Sequence, residues 1–242
     1  MAERGLFRWA GAKRHLVDLV APMIRVYCAT TGGRLISLFH GSGAIERAVG
    51  GAAVAADGSP ELLNLFSVLQ SHKPETVHEA LVKFDSEIER TPEAYKQLGL
   101  EETWLDPLYG ATRFLWLSAM QFNGVWRVNA RGQMNMGVDR ARLARAPEDV
   151  LPGLEAFRAF AHQIRSTQFV RGWETALEHA CPGDLLFADP PYGEFVGYTA
   201  GGFSAKDQRL LAAALRGAVT GRGCALIAFN APVAAAIYHW AR

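Results

Sequence analysis

Asp184-Leu185-Leu186-Phe187-Ala188-Asp189-Pro190-Pro191-Tyr192 is a short apolar run that stops in an acid, two prolines and an aromatic ring. Four consecutive apolar residues between polar ones fit a strand buried on both faces, as in a parallel sheet. Prolines cannot extend it, because each lacks a backbone N–H and fixes φ. The run therefore predicts a buried strand that presents Asp189 at its carboxyl end.

Outward from that strand, similar β-favouring runs occupy Leu35–Phe39, Ala53–Ala56, Gln168–Val170 and Ala225–Phe229. Helical patterns lie between them, at His15–Val26, Ile45–Val49, Pro60–Gln70, Glu75–Arg90, Leu108–Phe122, Leu154–Ile164 and Ala205–Val219. The alternation predicts an α/β fold, a doubly wound sheet with helices on both faces. One gap breaks the rhythm. The second strand ends near Ala56 and the next begins near Gln168, much further on than one crossover helix requires. We therefore expect a core formed by residues 1–70 and 167–242, carrying an inserted, mainly helical subdomain over residues 71–166. That insertion turns irregular around Asn123–Gly137, where Gly124, Gly132 and Gly137 punctuate it.

Composition narrows the class. Half of the 242 residues are hydrophobic and a fifth are charged, as in a soluble globular protein. No apolar run reaches bilayer-spanning length, and Met1-Ala2-Glu3-Arg4-Gly5 lacks the apolar core of a signal peptide. Cys28, Cys181 and Cys224 form neither a metal-ligand spacing nor a disulfide framework. They are expected as core thiols in a reducing cytoplasm, and no metal site is expected. The net charge of +1 conceals segregation. Between Ala111 and Arg145 stand six arginines (Arg113, Arg127, Arg131, Arg140, Arg142, Arg145) against Asp139 alone. Such a segment suits an anionic partner such as a nucleic-acid backbone, or simply a solvated surface.

Two further clusters bear on ligands. Phe39-His40-Gly41-Ser42-Gly43 follows the first strand and leads into a helix. Glycines at such a turn let the backbone approach a ligand closely. The dinucleotide fingerprint G-x-G-x-x-G would need a third glycine, and Glu46 stands there instead. The next strand ends in Ala56-Asp57, an acid placed for a ribose hydroxyl pair. A ribose without a phosphate to cradle points to S-adenosylmethionine. Near the start, Phe7-Arg8-Trp9-Ala10-Gly11-Ala12-Lys13 is an aromatic, basic and glycine cluster, which alone reads as a helix entry anchored by Trp9.

Asp189, Pro190 and Tyr192 suit chemistry on the exocyclic amine of a base. That nitrogen is a poor nucleophile because its lone pair is delocalised into the ring. Hydrogen bonds from both amine hydrogens to fixed acceptors, the Asp189 carboxylate and the Pro190 carbonyl, would free the lone pair, while Tyr192 stacks on the base. A base in a duplex must first flip out, at a cost of a few kcal/mol.

These segments, in this order, resemble the Dam-type (D12 class) DNA adenine N6-methyltransferases. The resemblance runs through Trp9-Ala10-Gly11-Ala12-Lys13, Phe39–Gly43, Ala56-Asp57 with Glu61-Leu62, Phe122-Asn123-Gly124, Arg127-Val128-Asn129, Arg131–Asn135, Asp189–Tyr192 and Phe203–Gln208. It implies a Rossmann-like S-adenosylmethionine-dependent methyltransferase sheet with an inserted target-recognition subdomain. It implies transfer of a methyl group to the N6 amine of a flipped adenine in double-stranded DNA, by a lone modification enzyme or half of a restriction pair. Position by position, Trp9, Lys13, Phe39, Asp57 and Asp189 match cofactor-contacting places, beside Gly41 and Gly43 of the turn. Asp189, Pro190 and Tyr192 match catalytic ones. Arg8, Val125 and Arg127 match base-contacting places, and Asn129 and Arg131 are counted with them as DNA-binding. For Asn123, Asn129 and Asn135, loop structure and DNA contact both stay open. The resemblance further implies a cytoplasmic bacterial or phage protein, monomeric unless a partner covers an exposed sheet edge.

The chain departs from the family in three places. Ser37 and Leu38 stand where an acid and a proline often precede the motif phenylalanine, which would weaken one cofactor contact. Gly137 replaces the proline of GATC-specific members. The chain also stops at Arg242, before the strand hairpin with which related enzymes complete the sheet. Alternatives therefore stay open: an RNA adenine or DNA cytosine amine as target, or a truncated, non-catalytic relative that binds DNA or cofactor.

Overall fold

The computed structural model describes residues 6–9, 11–101, 106–122, 126–129, 131, 133–191 and 202–230. The chain divides into two compact units. One, formed by Lys13–Gly58, Ser166–Val196 and Gly201–Arg242, contains a sheet. The other, formed by Met1–Ala12, Ser59–Arg165 and Gly197–Ala200, is helical.

The sheet unit has five strands, β1 (Leu35–Ser37), β2 (Val54–Asp57), β3 (Gln168–Arg171), β4 (Leu185–Ala188) and β5 (Ala225–Ala228), all paired in parallel in the order β3-β2-β1-β4-β5. The alternation of side chains along each strand decides what each face buries. Leu35, Ala55, Leu185 and Phe187 pack with Val20 and Ile24 of α1 (Val17–Thr31) and Ile45 of α2 (Ala44–Val49). On the opposite face Ile36, Val54, Ala56, Leu186 and Ala188 pack with Ala176 and Leu177 of α10 (Trp173–Glu178) and Leu211 and Leu215 of α11 (Ala205–Arg222). Helices on both faces of a parallel sheet make the unit doubly wound, an α/β arrangement consistent with a Rossmann-like methyltransferase fold.

Strand register is fixed by a charge. Asp184, just before β4, accepts from the Arg34 backbone N–H (2.8 Å) and guanidinium (2.7 Å), and from Cys181 N–H (2.9 Å). Arg34 leads into β1, so this pair sets β1 beside β4. Cys181, expected as a core thiol, is instead exposed, because it lies in the loop before Asp184 rather than on a strand face. Cys224 is buried and Cys28 half-buried.

The helical unit contains α3 (Pro60–Ser71), α4 (Pro74–Glu87), α5 (Pro92–Leu100), α6 (Pro107–Met120), α7 (Arg140–Leu143), α8 (Pro147–Val150) and α9 (Leu154–Ile164). Five of these helices begin with proline, which fits the first turn because the missing N–H would be unpaired there anyway. Ser59, Thr91, Asp106 and Asp139 add side-chain caps. α6 is buried all round from Gly110 to Met120 and forms the unit's axis. Arg113 on α6 is buried too, donating to the Leu98 and Glu101 carbonyls at 2.7 and 2.8 Å. It holds the end of α5, so it cannot join the other arginines of its segment at a surface.

The expected strands all form, each within two residues of the range read from sequence. The helix expected over His15–Val26 opens as a short 3-10 turn, Arg14–Leu16, and runs on to Thr31, where Gly32 in the left-handed region stops it. The segment bearing on the expected missing strand hairpin, residues 231–242, lies outside the described residues.

Candidate active site

In an open parallel sheet the strand order reverses beside β1, and ligands bind at the carboxyl ends of the strands around such a point. The sequence places its polar residues there. β1 runs out into Phe39–Gly43, β2 ends in Asp57 and β4 is followed by Asp189. Because β1 lies between β2 and β4, the glycine turn is flanked by these two acids.

The turn is tied down at several atoms. His40 N–H donates to the Ala56 carbonyl, and Gly43 N–H donates to the His40 carbonyl, both at 2.8 Å. Gly41 N–H donates to Asp57 Oδ2 at 2.8 Å. Gly41 and Gly43 both have positive φ, +52° and +62°, which explains why glycine stands at these two places. Phe39 packs edge-on against Phe203, at 5.6 Å between ring centroids.

At the end of β4, Lys13 Nζ lies 2.6 Å from Asp189 Oδ2, and both side chains are largely buried. A carboxylate in partial burial needs such a partner, and a charge-assisted hydrogen bond also fixes its direction. Pro190 is buried, and the Pro191 carbonyl accepts from Gln208 Nε2 at 2.9 Å. Gln208 in turn accepts from Asn230 Nδ2 at 3.0 Å. A box of reciprocal hydrogen bonds between Ser204 and Asp207 sets the start of α11, which carries Gln208. Sequence reading gave Gln208 no role, though a signal existed: a polar residue in line with the buried Leu211 and Leu215.

Thus Lys13, Phe39, Gly41, Gly43, Asp57, Asp189 and Pro190 come together in the sheet unit. Tyr192, expected to stack on the base, lies outside the described residues.

Beneath the turn is a group the sequence did not assign. Glu46, where a third fingerprint glycine was absent, is buried, as are Ser37 and His40. Its carboxylate accepts from the Ser37 hydroxyl and lies 3.6 Å from His40 Nδ1. Burial alone would raise the Glu46 carboxyl. The nearby His40 imidazole, the hydrogen bond from Ser37 and a backbone N–H outweigh burial and hold it below the ordinary carboxylate range.

The donor set suits S-adenosylmethionine. Asp57, which takes the Gly41 N–H at one oxygen, could accept from ribose hydroxyls, Phe39 could offer a purine an apolar surface, and the paired Lys13 and Asp189 could meet a ligand that carries a carboxylate, an ammonium and a sulfonium. Among the described residues no cluster of histidine, cysteine or acidic side chains could hold a metal ion, and no helix is long and apolar enough to cross a membrane.

The other expected site residues belong to the helical unit. Arg8 is exposed, and Trp9, half-buried, meets Phe7 edge-on at 6.2 Å. After α6 the chain forms an antiparallel excursion, with bridges Gln121–Val138 and Val128–Met134. Trp126, Val128 and Met134 are buried, with Trp126 4.6 Å from Phe114, while Arg127 and Arg131 are exposed. Inward and outward side chains alternate as in any strand pair. Asn129 Oδ1 accepts from Arg131 and Gln133 N–H groups at 2.9 and 3.1 Å, and its Nδ2 donates to Gln133 Oε1. The Asn129 side chain therefore builds the turn that presents Arg131. Val125 and Asn123 lie outside the described residues.

Comparison with known proteins agrees with this chemistry. The profile of the D12 class N6 adenine-specific DNA methyltransferases matches residues 9–240. The chain is 28% identical over 217 residues to the DNA adenine methylase of Serratia marcescens, an alignment covering 86% of this chain and 76% of that protein. It is 26% identical over 226 residues to the DNA adenine methylase of Haemophilus influenzae, covering 88% and 74% of the two chains. With the DNA N-6-adenine-methyltransferase of Escherichia phage P1 it shares 28% identity over 249 aligned positions, spanning 98% of this chain but 31% of the longer phage protein. The chain belongs to the D12 class of N6 adenine-specific DNA methyltransferases.

Proposed function

We propose that the protein moves a methyl group from S-adenosylmethionine to the N6 amine of a flipped adenine in double-stranded DNA, with the sheet unit as catalytic core and the helical unit as an inserted target-recognition subdomain. The observation that carries this is the Asp189 carboxylate, fixed by Lys13 at the end of β4 next to a glycine turn tied to Asp57.

The bound cofactor supplies a methyl group activated on a sulfonium. Asp57 and Phe39 hold its nucleoside end, with Gly41 and Gly43 allowing close approach. Lys13 orients Asp189. Asp189 and the Pro190 carbonyl accept hydrogen bonds from the two amine hydrogens, and Tyr192 stacks on the base. With the cofactor bound, the amine nitrogen held by Asp189 and Pro190 would take the methyl carbon, and the cofactor would depart as the neutral thioether. The surplus amine proton departs through the Asp189 carboxylate to solvent. Preorganised acceptors lower the barrier because they need not reorient during reaction. Gln208, through Pro191, keeps this backbone in place.

In the helical unit, Arg127 and Arg131 are exposed on an excursion rooted by buried Trp126, Val128 and Met134, and an arginine so held can reach guanine acceptors in a bidentate manner. Arg8 is assigned a further DNA contact, as is Val125, and Trp9 a cofactor contact. Asn129 contributes by shaping the turn. The protein acts as a monomer in this reading.

Asp189→Ala tests the reading. It is expected to abolish methyl transfer while DNA affinity stays near that of the unaltered protein. Near-normal turnover would remove Asp189 from the mechanism.

A further inference from the structure

A carboxylate, a hydroxyl and an imidazole buried together beneath the glycine turn are costly for a fold that could fill the same space with apolar side chains. Glu46 is 2% exposed, Ser37 is fully buried and His40 is 5% exposed. Each comes from a different part of the turn. Ser37 ends β1, His40 lies in the turn itself and Glu46 is in the first helical turn of α2. The ring of His40 lies over Gly43, so close that a Cβ there would fall 2.4 Å from Nε2, and it meets Phe169 of β3 edge-on at 5.2 Å. His40 N–H also bonds to the last buried residue of β2, Ala56. Glu46 thus reaches both the end of β1 and the imidazole on which the turn rests.

We infer that Glu46 is a positioning residue for the cofactor turn: through Ser37 and His40 it fixes Gly41–Gly43 in the conformation that takes the cofactor. It supplies from α2 an acid at the end of β1, where Ser37 stands in place of the acid that the sequence comparison with the family led us to expect. The position of the missing third glycine is therefore a built element of this turn. Glu46 touches no reacting atom, and its influence is confined to the binding of the cofactor.

This inference rests on the reading that Phe39–Gly43 and Asp57 hold S-adenosylmethionine, and the experiment separates the two. Calorimetric binding of S-adenosylmethionine is measured for the unaltered protein and for Asp57→Ala, Glu46→Gln, His40→Asn, Ser37→Ala and the Glu46→Gln/His40→Asn pair, with melting temperatures to show that each is folded. Ser37→Ala removes a single hydroxyl and is the mildest probe should the others fail to fold. Glu46→Gln is expected to weaken binding on the order of tenfold, as for residues that act on a site through others. It should raise KM for the cofactor far more than it changes kcat. His40→Asn should add little once Glu46 is glutamine, because the two act as one unit. Affinity unchanged in every folded variant of Ser37, His40 and Glu46, with Asp57→Ala impaired, would overturn the inference and leave the cofactor reading intact. Affinity unchanged in Asp57→Ala as well would overturn both.

Discussion

Replacing Gly43 by alanine perturbs the turn at its tightest point, and the structure separates the two costs involved. The first is conformational: Gly43 has φ +62° and ψ 33°, in the left-handed region, where an L side chain costs about 1–2 kcal/mol. The second is steric. A Cβ at this position would lie 2.4 Å from His40 Nε2 and 2.5 Å from Cε1. The ring would have to retreat by about 1 Å to reach ordinary contact. It has little room to do so, because the ring is buried, with Phe169 on one side and the Glu46 carboxylate 3.6 Å from Nδ1. Overpacking of this kind costs about 1–3 kcal/mol. Gly223 provides the control: its φ and ψ are 73° and 28°, close to those of Gly43, and a Cβ there meets nothing within 4 Å. Urea denaturation should therefore show Gly43→Ala to be less stable than Gly223→Ala by about 1–3 kcal/mol. His40→Ala in the Gly43→Ala background should recover part of that difference. Equal stabilities of the two alanine variants, with no recovery from His40→Ala, would refute the packing argument.

Lys13→Met removes the ammonium beside Asp189 and leaves a largely buried carboxylate without that partner; methyl transfer should fall by at least about tenfold, while Lys13→Arg, which keeps the charge, should retain more of it. Arg127→Ala should relax sequence preference by about 1–3 kcal/mol in competition binding between DNA sequences, and an equal loss on every sequence would make Arg127 a phosphate contact instead. Acid should destabilise the fold in a defined window. Burial would raise the carboxyls of Glu46 and Asp184, but His40 with Ser37, and Arg34 with two backbone N–H groups, hold both below their ordinary values. A depressed folded value means that the stabilisation is fully present above the ordinary carboxyl range, about pH 4, and is lost as pH falls through the folded value. Melting temperature should then stay level from pH 7 to about 5 and fall below about 4, less steeply in Asp184→Asn. A fall beginning near pH 6 would contradict this assignment.

The sheet was legible because its strands are short runs with an apolar centre, wholly apolar in β4 and β5 and flanked by polar residues in the edge strand β3, and the functional polar residues sit where such runs stop. Asp57, Asp189 and the two glycines could all be found that way. α5 and α10 escaped because they are short and their patterns are interrupted, α5 by Gly99 and α10 by a preceding Gly172. Gly99 packs against Met134 of the excursion, a tertiary contact that no local pattern carries. Charge counting placed Arg113 among surface arginines, whereas hydrogen bonds to the Leu98 and Glu101 carbonyls keep it inside. Glu46 looked like a broken fingerprint for the same reason: its partners, Ser37 and His40, are ordinary residues until the fold brings them together.

The most direct test of the account is transfer of labelled methyl from S-adenosylmethionine to unmodified duplex DNA, followed by nucleoside analysis, for the unaltered protein and Asp189→Ala in parallel. The account predicts label in N6-methyladenine from the unaltered protein and none from Asp189→Ala. Label in a cytosine, transfer only to RNA, or equal transfer by both proteins would contradict it.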